Sequence, residues 1–249
     1  MCESEASSRE HVPPLSLFPE GRDMGGVDYR KNLITVPSCE LHNSAKSLDD
    51  EFLMVSLAGI IGNNSIGYMH KIGKVDRAIR RSSGRLLDNV LTKKKHIYKV
   101  EVENNKFIQV IWGTPDVNRL KNCFDRVARG LHVHHFNASF EGSIKLHLGF
   151  LFHEGKSPKN WDQFVRDKTE MELQGKPRYG DNPDVFFYQV TDKDEFGIFL
   201  MRLTFYGGVN VYVSFWPRDA KTPNHLGIEL MNNGIKTIIT LADKKYEIN

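Results

Sequence analysis

The sequence predicts an α+β protein whose helices and strands are segregated along the chain. Helical periodicity dominates residues 47–91, whereas consecutive β-rich runs separated by turn residues fill the last third of the chain. Such consecutive runs favour a largely antiparallel sheet. We therefore expect a small N-terminal domain at 1–62, a basic helical connector at 63–95, and a C-terminal α+β domain, sheet plus helices, at 96–249.

Composition limits the class of protein. Of the 249 residues, 40% are hydrophobic and 26% are charged, which is ordinary for a globular chain. No apolar run approaches the roughly 20 residues that a membrane span needs, and the polar N-terminus lacks the apolar core of a secretory signal. Three cysteines argue against a disulfide framework. We therefore expect a cytoplasmic protein without a membrane partner, whose net charge of +3 neither demands nor excludes nucleic acid.

The stretch from Arg9 to Lys46 concentrates the side chains that could carry chemistry. It contains the pair Glu10-His11, and then Asn32-Leu33 at the start of a short apolar run that predicts a strand over 33–36. Residues 39–46 have the sequence Cys-Glu-Leu-His-Asn-Ser-Ala-Lys and lead into a helical pattern that begins at Ser47. Metal-ligand residue types therefore occur at both ends of one predicted hairpin and helix.

This order and spacing resemble the HNH nuclease motif, a ββα hairpin and helix that holds one divalent metal ion against a DNA phosphate. The resemblance covers about the first sixty residues and implies an endonuclease that hydrolyses phosphodiester bonds in DNA. It assigns His11 as general base and Asn32 as the residue that orients it. It assigns Glu10 and Asn43 as ligands of a catalytic Mg²⁺ or Mn²⁺.

These residue types suit the roles that the resemblance implies. A neutral imidazole can take a proton from water near physiological pH, and carboxylate oxygens suit hard divalent cations. Each residue also has a simpler interpretation. Glu10-His11 could begin a surface turn, Asn32 could be a loop hydrogen bonder, and Asn43 could cap a helix. Lys46 meets a phosphate in one interpretation and faces solvent in the other.

The resemblance also implies a structural zinc site. The family often carries a Cys-x-x-Cys pair before its acidic-histidine pair, and Cys2 stands where the second cysteine would be. With Cys39 and His42 it would form a three-ligand Zn²⁺ site, one short of the usual four. The alternative is that Cys2 is an ordinary exposed thiol.

The predicted connector carries a basic face. Four basic residues recur at helical spacing in the stretch 66–91, and Ser82-Ser83-Gly84 predicts a break within it. Beside a nuclease motif such a face suits DNA phosphates, although a solvated face has the same pattern. The candidates are Lys74, Arg77, Arg81 and Arg85.

The C-terminal region is predicted to begin with a β-hairpin over 96–112 and a helix over 115–131, followed mostly by strands. Alternation would place His132 and His134 on one strand face, with His135 beside them. We favour an ordinary role over metal binding for these histidines, since no acidic cluster accompanies them. The many aromatic residues of 186–216 are expected to be core rather than base-stacking platforms.

Three functions follow from these patterns. The leading one is a metal-dependent HNH-type DNA endonuclease. The alternative is a zinc-stapled protein that binds nucleic acid or a partner without catalysis. Both the incomplete cysteine pair and Glu10, at a position where Asp is commoner in the family, permit it. A third is a restriction or phage-defence effector whose C-terminal domain meets an activating partner, by analogy of layout only. A single-metal site cuts one strand, so double-strand breaks would imply a homodimer.

Overall fold

The structure is a computed structural model that describes residues 7–39, 47–92, 96–103, 106–152, 155–220 and 225–249. The protein is a mixed α+β protein, as predicted, and each strand pair is antiparallel in the described ranges. The chain divides into two compact units, Met1–Val127 (unit 1) and Ala128–Asn249 (unit 2). The predicted domain boundaries after residues 62 and 95 stay predictions.

Unit 1 opens with a two-stranded sheet and continues with helices and a hairpin. Two 3-10 turns, Leu15–Leu17 and Gly21–Asp23, lie between its first two strands, and a π-helical turn, Lys71–Val75, joins its second and third helices. The elements are β1 (Ser8–His11), β2 (Thr35–Ser38), α1 (Ser47–Ala58), α2 (Ser65–His70), α3 (Asp76–Arg81), α4 (Arg85–Val90), β3 (His96–Glu103), β4 (Lys106–Trp112) and α5 (Val117–Phe136), which the unit boundary divides.

Helix α1 is the buried centre of unit 1. It begins with Asp49 and Asp50 in its first turn, where negative charge is favoured by the helix dipole. Asp49 also accepts hydrogen bonds from two arginines of α5, which tie the start of α1 to that helix. The amide of the buried Asn63 donates to the carbonyls of Leu57 and Ala58 at 2.9 and 3.2 Å. Those bonds satisfy carbonyls that the end of the helix leaves open.

The helical stretch predicted over 66–91 is interrupted rather than continuous. The predicted break at Ser82-Ser83-Gly84 is confirmed, because Ser83 and Gly84 have φ angles of 54° and 83°, outside the helical region. The hydrophobic pattern did not predict a second irregularity, the π-helical turn. The connector therefore consists of a helical run over 65–81 that contains the π-helical turn, and the short helix α4 after the break.

Unit 2 is built on a four-stranded sheet with the order β5-β8-β7-β6. The predicted antiparallel sheet is confirmed, since the three consecutive strands β6, β7 and β8 are neighbours and antiparallel. The elements are β5 (Gly142–Leu148), α6 (Lys156–Leu173), β6 (Phe186–Val190), β7 (Phe199–Phe205), β8 (Val209–Pro217), α7 (His225–Asn232), β9 (Thr237–Leu241) and β10 (Lys244–Ile248). Strands β9 and β10 form a separate hairpin, and α6 contacts β10.

The two faces of this sheet differ in character. Alternate residues of β7 and β8, such as Met201 and Val213, pair across the strands and are fully buried on the apolar face. This face carries the aromatic residues Phe199 and Phe215, which stack at 4.6 Å, so the core role predicted for these aromatics is confirmed. The opposite face carries polar residues, including Arg202, among its buried positions.

Two sequence predictions about local structure are wrong. Strand β2 covers Thr35–Ser38 instead of 33–36, because Asn32 adopts a left-handed turn conformation with φ of 50° and delays the extended segment. The histidines at 132, 134 and 135 lie on helix α5, not on a strand, because the helix runs on to Phe136. His132 is buried among aromatic rings, and its Nδ1 donates to the carbonyl of Ala138 at 2.8 Å.

Candidate active site

The predicted catalytic pair lies on the first strand of the small β1–β2 sheet. Glu10 pairs with Val36, and His11 pairs with Thr35. Successive residues of a strand point to opposite faces, so the side chains of Glu10 and His11 leave the strand on opposite faces. Both side chains are half-buried.

The carboxylate of Glu10 is positioned by strand β2. The hydroxyl of Ser38, diagonally across the two strands, donates to Oε2 of Glu10 at 3.2 Å. The same hydroxyl lies 3.3 Å from the carbonyl oxygen of Cys39, so its single proton is shared between two acceptors. Ser8 adds a bond from its own hydroxyl to the carbonyl of Ser38 at 3.0 Å. This face of the hairpin thus places a carboxylate beside a hydroxyl.

The other face of the hairpin carries His11 together with an arginine. Arg9 lies two residues before His11 and is exposed. Its Nε donates to the hydroxyl of Thr35 at 3.0 Å, and its terminal nitrogen donates to the carbonyl of Thr35 at 3.2 Å. An imidazole and an immobilised guanidinium therefore share one face, the combination that would meet a water molecule and a phosphate oxygen.

Asn32 lies in the turn that leads into β2. Its side chain is exposed, and within residues 7–39 we find no hydrogen bond between Asn32 and His11. Asparagine tolerates a positive φ better than most residues, which gives a local reason for its presence. The role of Asn32 in orienting His11 stays a prediction.

The predicted metal ligands are only partly covered by the structure. Cys2, His42 and Asn43 lie outside the described residues, as does Lys46. Cys39 is described and is buried at the end of β2. Within the described ranges, no group of three or more His, Cys, Asp or Glu side chains is placed to hold a metal ion. Of the two predicted ligands of a catalytic Mg²⁺ or Mn²⁺, only Glu10 is seen.

The basic residues of the connector divide into two kinds. Arg77 forms two parallel hydrogen bonds with the carboxylate of Asp23, at 2.8 and 2.7 Å. The ammonium of Lys74 lies 3.6 Å from Glu20, and its side chain is only 21% exposed. Both acids belong to the segment between β1 and β2. Lys74 and Arg77 therefore tie that segment to the helices, although they were predicted as DNA contacts.

Arg81 and Arg85, by contrast, are exposed on either side of the break between α3 and α4. Nε of Arg85 donates to the carbonyl of Ser82 at 3.1 Å, and this local bond orients the guanidinium. Of the four predicted connector residues, these two present charge that no described carboxylate neutralises.

The ion pairs shift the pKa values of the acids that form them. The hydrogen bonds from Arg77 hold the pKa of Asp23 below its usual value. Burial alone would raise the pKa of Glu20, but the charges of Lys74, Arg22 and Arg30 outweigh it and lower that pKa. Both carboxylates are therefore ionised at neutral pH.

Comparison of the chain with protein-family models, with curated proteins and with solved structures found no match. In the parts of the chain that the structure describes, no helix combines the length and the apolar character needed to cross a membrane.

Two residues of the hairpin, Arg9 and Ser38, were not predicted from the sequence. Arg9 precedes Glu10 directly, so a basic residue beside an acidic-histidine pair was a signal that could have been used. Ser38 had no such signal. It meets Glu10 only because the register of β1 and β2 brings together residues 28 positions apart.

Proposed function

We propose that this protein is a metal-dependent, HNH-type endonuclease that hydrolyses phosphodiester bonds in DNA. The proposal rests on one observation. Glu10 and His11 are adjacent on the first strand of an antiparallel pair, and the second strand is followed by the buried helix α1. The order strand, strand, helix, with an acidic-histidine pair on the first strand, is the arrangement that the HNH resemblance implies.

His11 is the general base in this proposal. It accepts a proton from the attacking water, because a neutral imidazole has a basicity matched to neutral pH. Arg9, on the same face, offers a charge-assisted hydrogen bond to a non-bridging oxygen of the phosphate. The bond from Arg9 to Thr35 restricts the guanidinium before substrate arrives.

Glu10 would hold the catalytic cation together with Asn43, from the face of β1 opposite His11. Carboxylate and amide oxygens suit Mg²⁺ or Mn²⁺, so the donor chemistry of the chain fits such an ion. The bound cation would supply charge neutralisation at the phosphate. Ser38 is a positioning residue, since its hydroxyl contacts Glu10 rather than substrate. A structural Zn²⁺ held by Cys2, Cys39 and His42 remains part of the proposal.

DNA is expected to contact the exposed basic residues. Arg81 and Arg85 are better placed for phosphate contacts than Lys74 and Arg77, which are occupied by Glu20 and Asp23. Lys46, just before α1, would add a contact close to the hairpin.

The test is cleavage of supercoiled plasmid by the purified chain with Mg²⁺, with Mn²⁺ and with EDTA. We expect metal-dependent conversion to open-circular or linear DNA. His11→Ala should lower the rate by about 10² to 10⁴, the usual contribution of a general base. His134→Ala removes an exposed histidine from α5 and should leave the rate unchanged.

Full activity in His11→Ala would contradict the assignment of the base. Metal-independent DNA binding without cleavage under any of these conditions would favour the alternative, a nucleic-acid-binding protein without catalysis. Cleavage that appears only with a second protein would favour an effector with an activating partner. Linear product that forms without an open-circular intermediate would indicate paired active sites in a homodimer.

A further inference from the structure

A row of polar side chains crosses the sheet of unit 2 on the face opposite its apolar core. The strand register aligns His147 of β5 with Tyr212 of β8, then Arg202 of β7, then Gln189 of β6. Polar residues in four adjacent strands are unusual on a covered sheet face, since buried polar groups must be satisfied by partners. A face built only for packing would carry apolar residues there.

Helix α6 supplies charged partners for this row at intervals of one helical turn. Asp162 lies 2.7 Å from Nε2 of His147 and 2.7 Å from Nε of Arg166. Glu170, two turns after Asp162, accepts a hydrogen bond from Arg202. The row and the helix therefore form a continuous polar layer that includes the Arg202 guanidinium.

The guanidinium of Arg202 does not use all of its hydrogen-bond donors. The residue is 9% exposed, and its two terminal nitrogens donate to Glu170 and to the amide oxygen of Gln189. Its Nε is buried without a hydrogen-bond partner. A buried guanidinium with an unused donor is costly, and it has capacity for a further acceptor.

The carboxylate that neutralises Arg202 comes from the solvent side. The side chain of Glu170 is 61% exposed, whereas that of Arg202 is 11% exposed. Glu170 therefore reaches inward from an exposed helix position and can rotate away without losing a packed environment.

Arg202 and Glu170 line an open groove of about 540 Å³. That volume is within the range of small-molecule sites. Lys176 and Arg178 add two cations to its lining, and Gln174 and Gln189 add amides. Lys176 pairs at 2.5 Å with Asp192, whose side chain is 86% exposed, and Arg178 stacks on Phe187 at 4.7 Å. The lining thus carries three cations and one carboxylate, the exposed Glu170.

We propose that this groove binds a small phosphomonoester, whose phosphate replaces the carboxylate of Glu170 on Arg202. A phosphate carries a charge of about −1.5 to −2 and three acceptor oxygens, which suits a groove lined by the donors of Arg202, Arg178 and Lys176. Glu170 is then an internal placeholder that keeps Arg202 neutralised while the groove is empty of ligand. The site is independent of the proposed cleavage at Glu10 and His11, because all of its residues belong to unit 2.

The test is calorimetric titration of the full chain with ribose 5-phosphate, inorganic phosphate and malonate. We expect saturable binding of ribose 5-phosphate, weaker binding of inorganic phosphate, and the weakest binding of malonate. Glu170→Gln removes the competing charge and should tighten binding of ribose 5-phosphate about tenfold, since a charge-assisted bond is no longer displaced. Arg202→Gln should abolish binding.

Two further variants keep the test informative if Arg202→Gln fails to fold. Arg178→Gln changes an exposed residue and should weaken binding several-fold while leaving the circular dichroism spectrum unchanged. Lys168→Gln is the matched control on α6, because Lys168 pairs with Glu172 and does not line the groove. It should bind as the unaltered chain does.

Three results would overturn the proposal. One is the absence of saturable binding of ribose 5-phosphate at millimolar concentration in both the unaltered chain and Glu170→Gln. Another is equal affinity of these two proteins. The third is tighter binding of malonate than of ribose 5-phosphate, which would assign the groove to carboxylates.

Discussion

His70 shows how one buried side chain couples the stability of unit 1 to pH. It is 0% exposed, and its Nε2 donates to the carbonyl of Ser16 at 3.1 Å. Burial lowers its pKa to about 4, and the positive charges of Lys74 and Arg30 act in the same direction. The hydrogen bond to Ser16 and the charge of Asp23 oppose this shift but do not cancel it. The folded protein therefore holds His70 as the neutral imidazole.

We predict a loss of stability in acid that is specific to His70. The folded state binds this proton less readily than the unfolded state, so the stabilisation is fully present above pH 6.5. It decreases as the pH falls towards 4, by about 3 kcal/mol in total. Urea unfolding at pH 7.5 and 4.5 should show a smaller difference in His70→Gln, which retains a donor for Ser16, than in the unaltered chain.

The control for this measurement is His134→Gln, since His134 is exposed on α5. It should keep the pH dependence of the unaltered chain. An equal pH dependence in His70→Gln and the unaltered chain would show that other groups, such as Asp23 and Glu20, cause the acid sensitivity.

At the scale of elements, the interrupted helices of the connector separate structural from exposed basic residues. Lys74 lies within the π-helical turn and Arg77 within α3, and both meet acids from the segment between β1 and β2. Arg81 ends α3 and Arg85 begins α4, where the break turns them towards solvent. The same residue type thus stabilises the fold at one position and remains available to a ligand at another.

We predict that Arg81→Gln combined with Arg85→Gln weakens DNA binding and lowers its salt dependence. Each lost phosphate contact should reduce the slope of log affinity against log salt by about one. Fluorescence anisotropy with labelled duplex at several salt concentrations measures both quantities. The thermal midpoint of this double variant should stay close to that of the unaltered chain.

Arg77→Gln provides the matched comparison. It removes both hydrogen bonds to Asp23, so we expect a lower thermal midpoint and little change in the salt slope. A larger change of slope in Arg77→Gln than in the double variant would show that the ion pair opens to bind DNA.

At the scale of the whole molecule, two units each enclose their own buried residues. Unit 1 is centred on α1, which buries Leu53 and Leu57 almost completely. Unit 2 is centred on a sheet whose apolar face is packed and whose opposite face carries the polar layer of Arg202 and His147. Adjacent residues of one strand therefore have different energetic roles.

The two faces of β7 give a matched prediction of stability. Met201 is fully buried on the apolar face, and its neighbour Leu200, on the polar face, is half-buried. Met201→Ala should lower the free energy of unfolding by about 2–5 kcal/mol, because it leaves a cavity. Leu200→Ala should lower it by less. Denaturant unfolding of both variants measures this, and equal losses would contradict the assignment of faces.

The sequence by itself determined the features that local patterns control. The helix at Ser47, the break at Ser82–Gly84 and the antiparallel order of β6, β7 and β8 follow from periodicity and turn residues acting over a few positions. It also indicated the pair Glu10-His11, because those residues are adjacent. It erred at β2, where a left-handed turn at Asn32 delays the strand, and at the histidines of α5, because the helix runs on to Phe136.

Only the tertiary structure decided which side chains meet. Ser38 reaches Glu10, Asp23 captures Arg77, and Glu170 covers Arg202 through contacts between segments 28, 54 and 32 residues apart. Such contacts depend on strand register and helix packing, which local propensity does not encode. An arginine is therefore exposed or paired, and a polar strand residue exposed or buried, according to which segment the fold places opposite it.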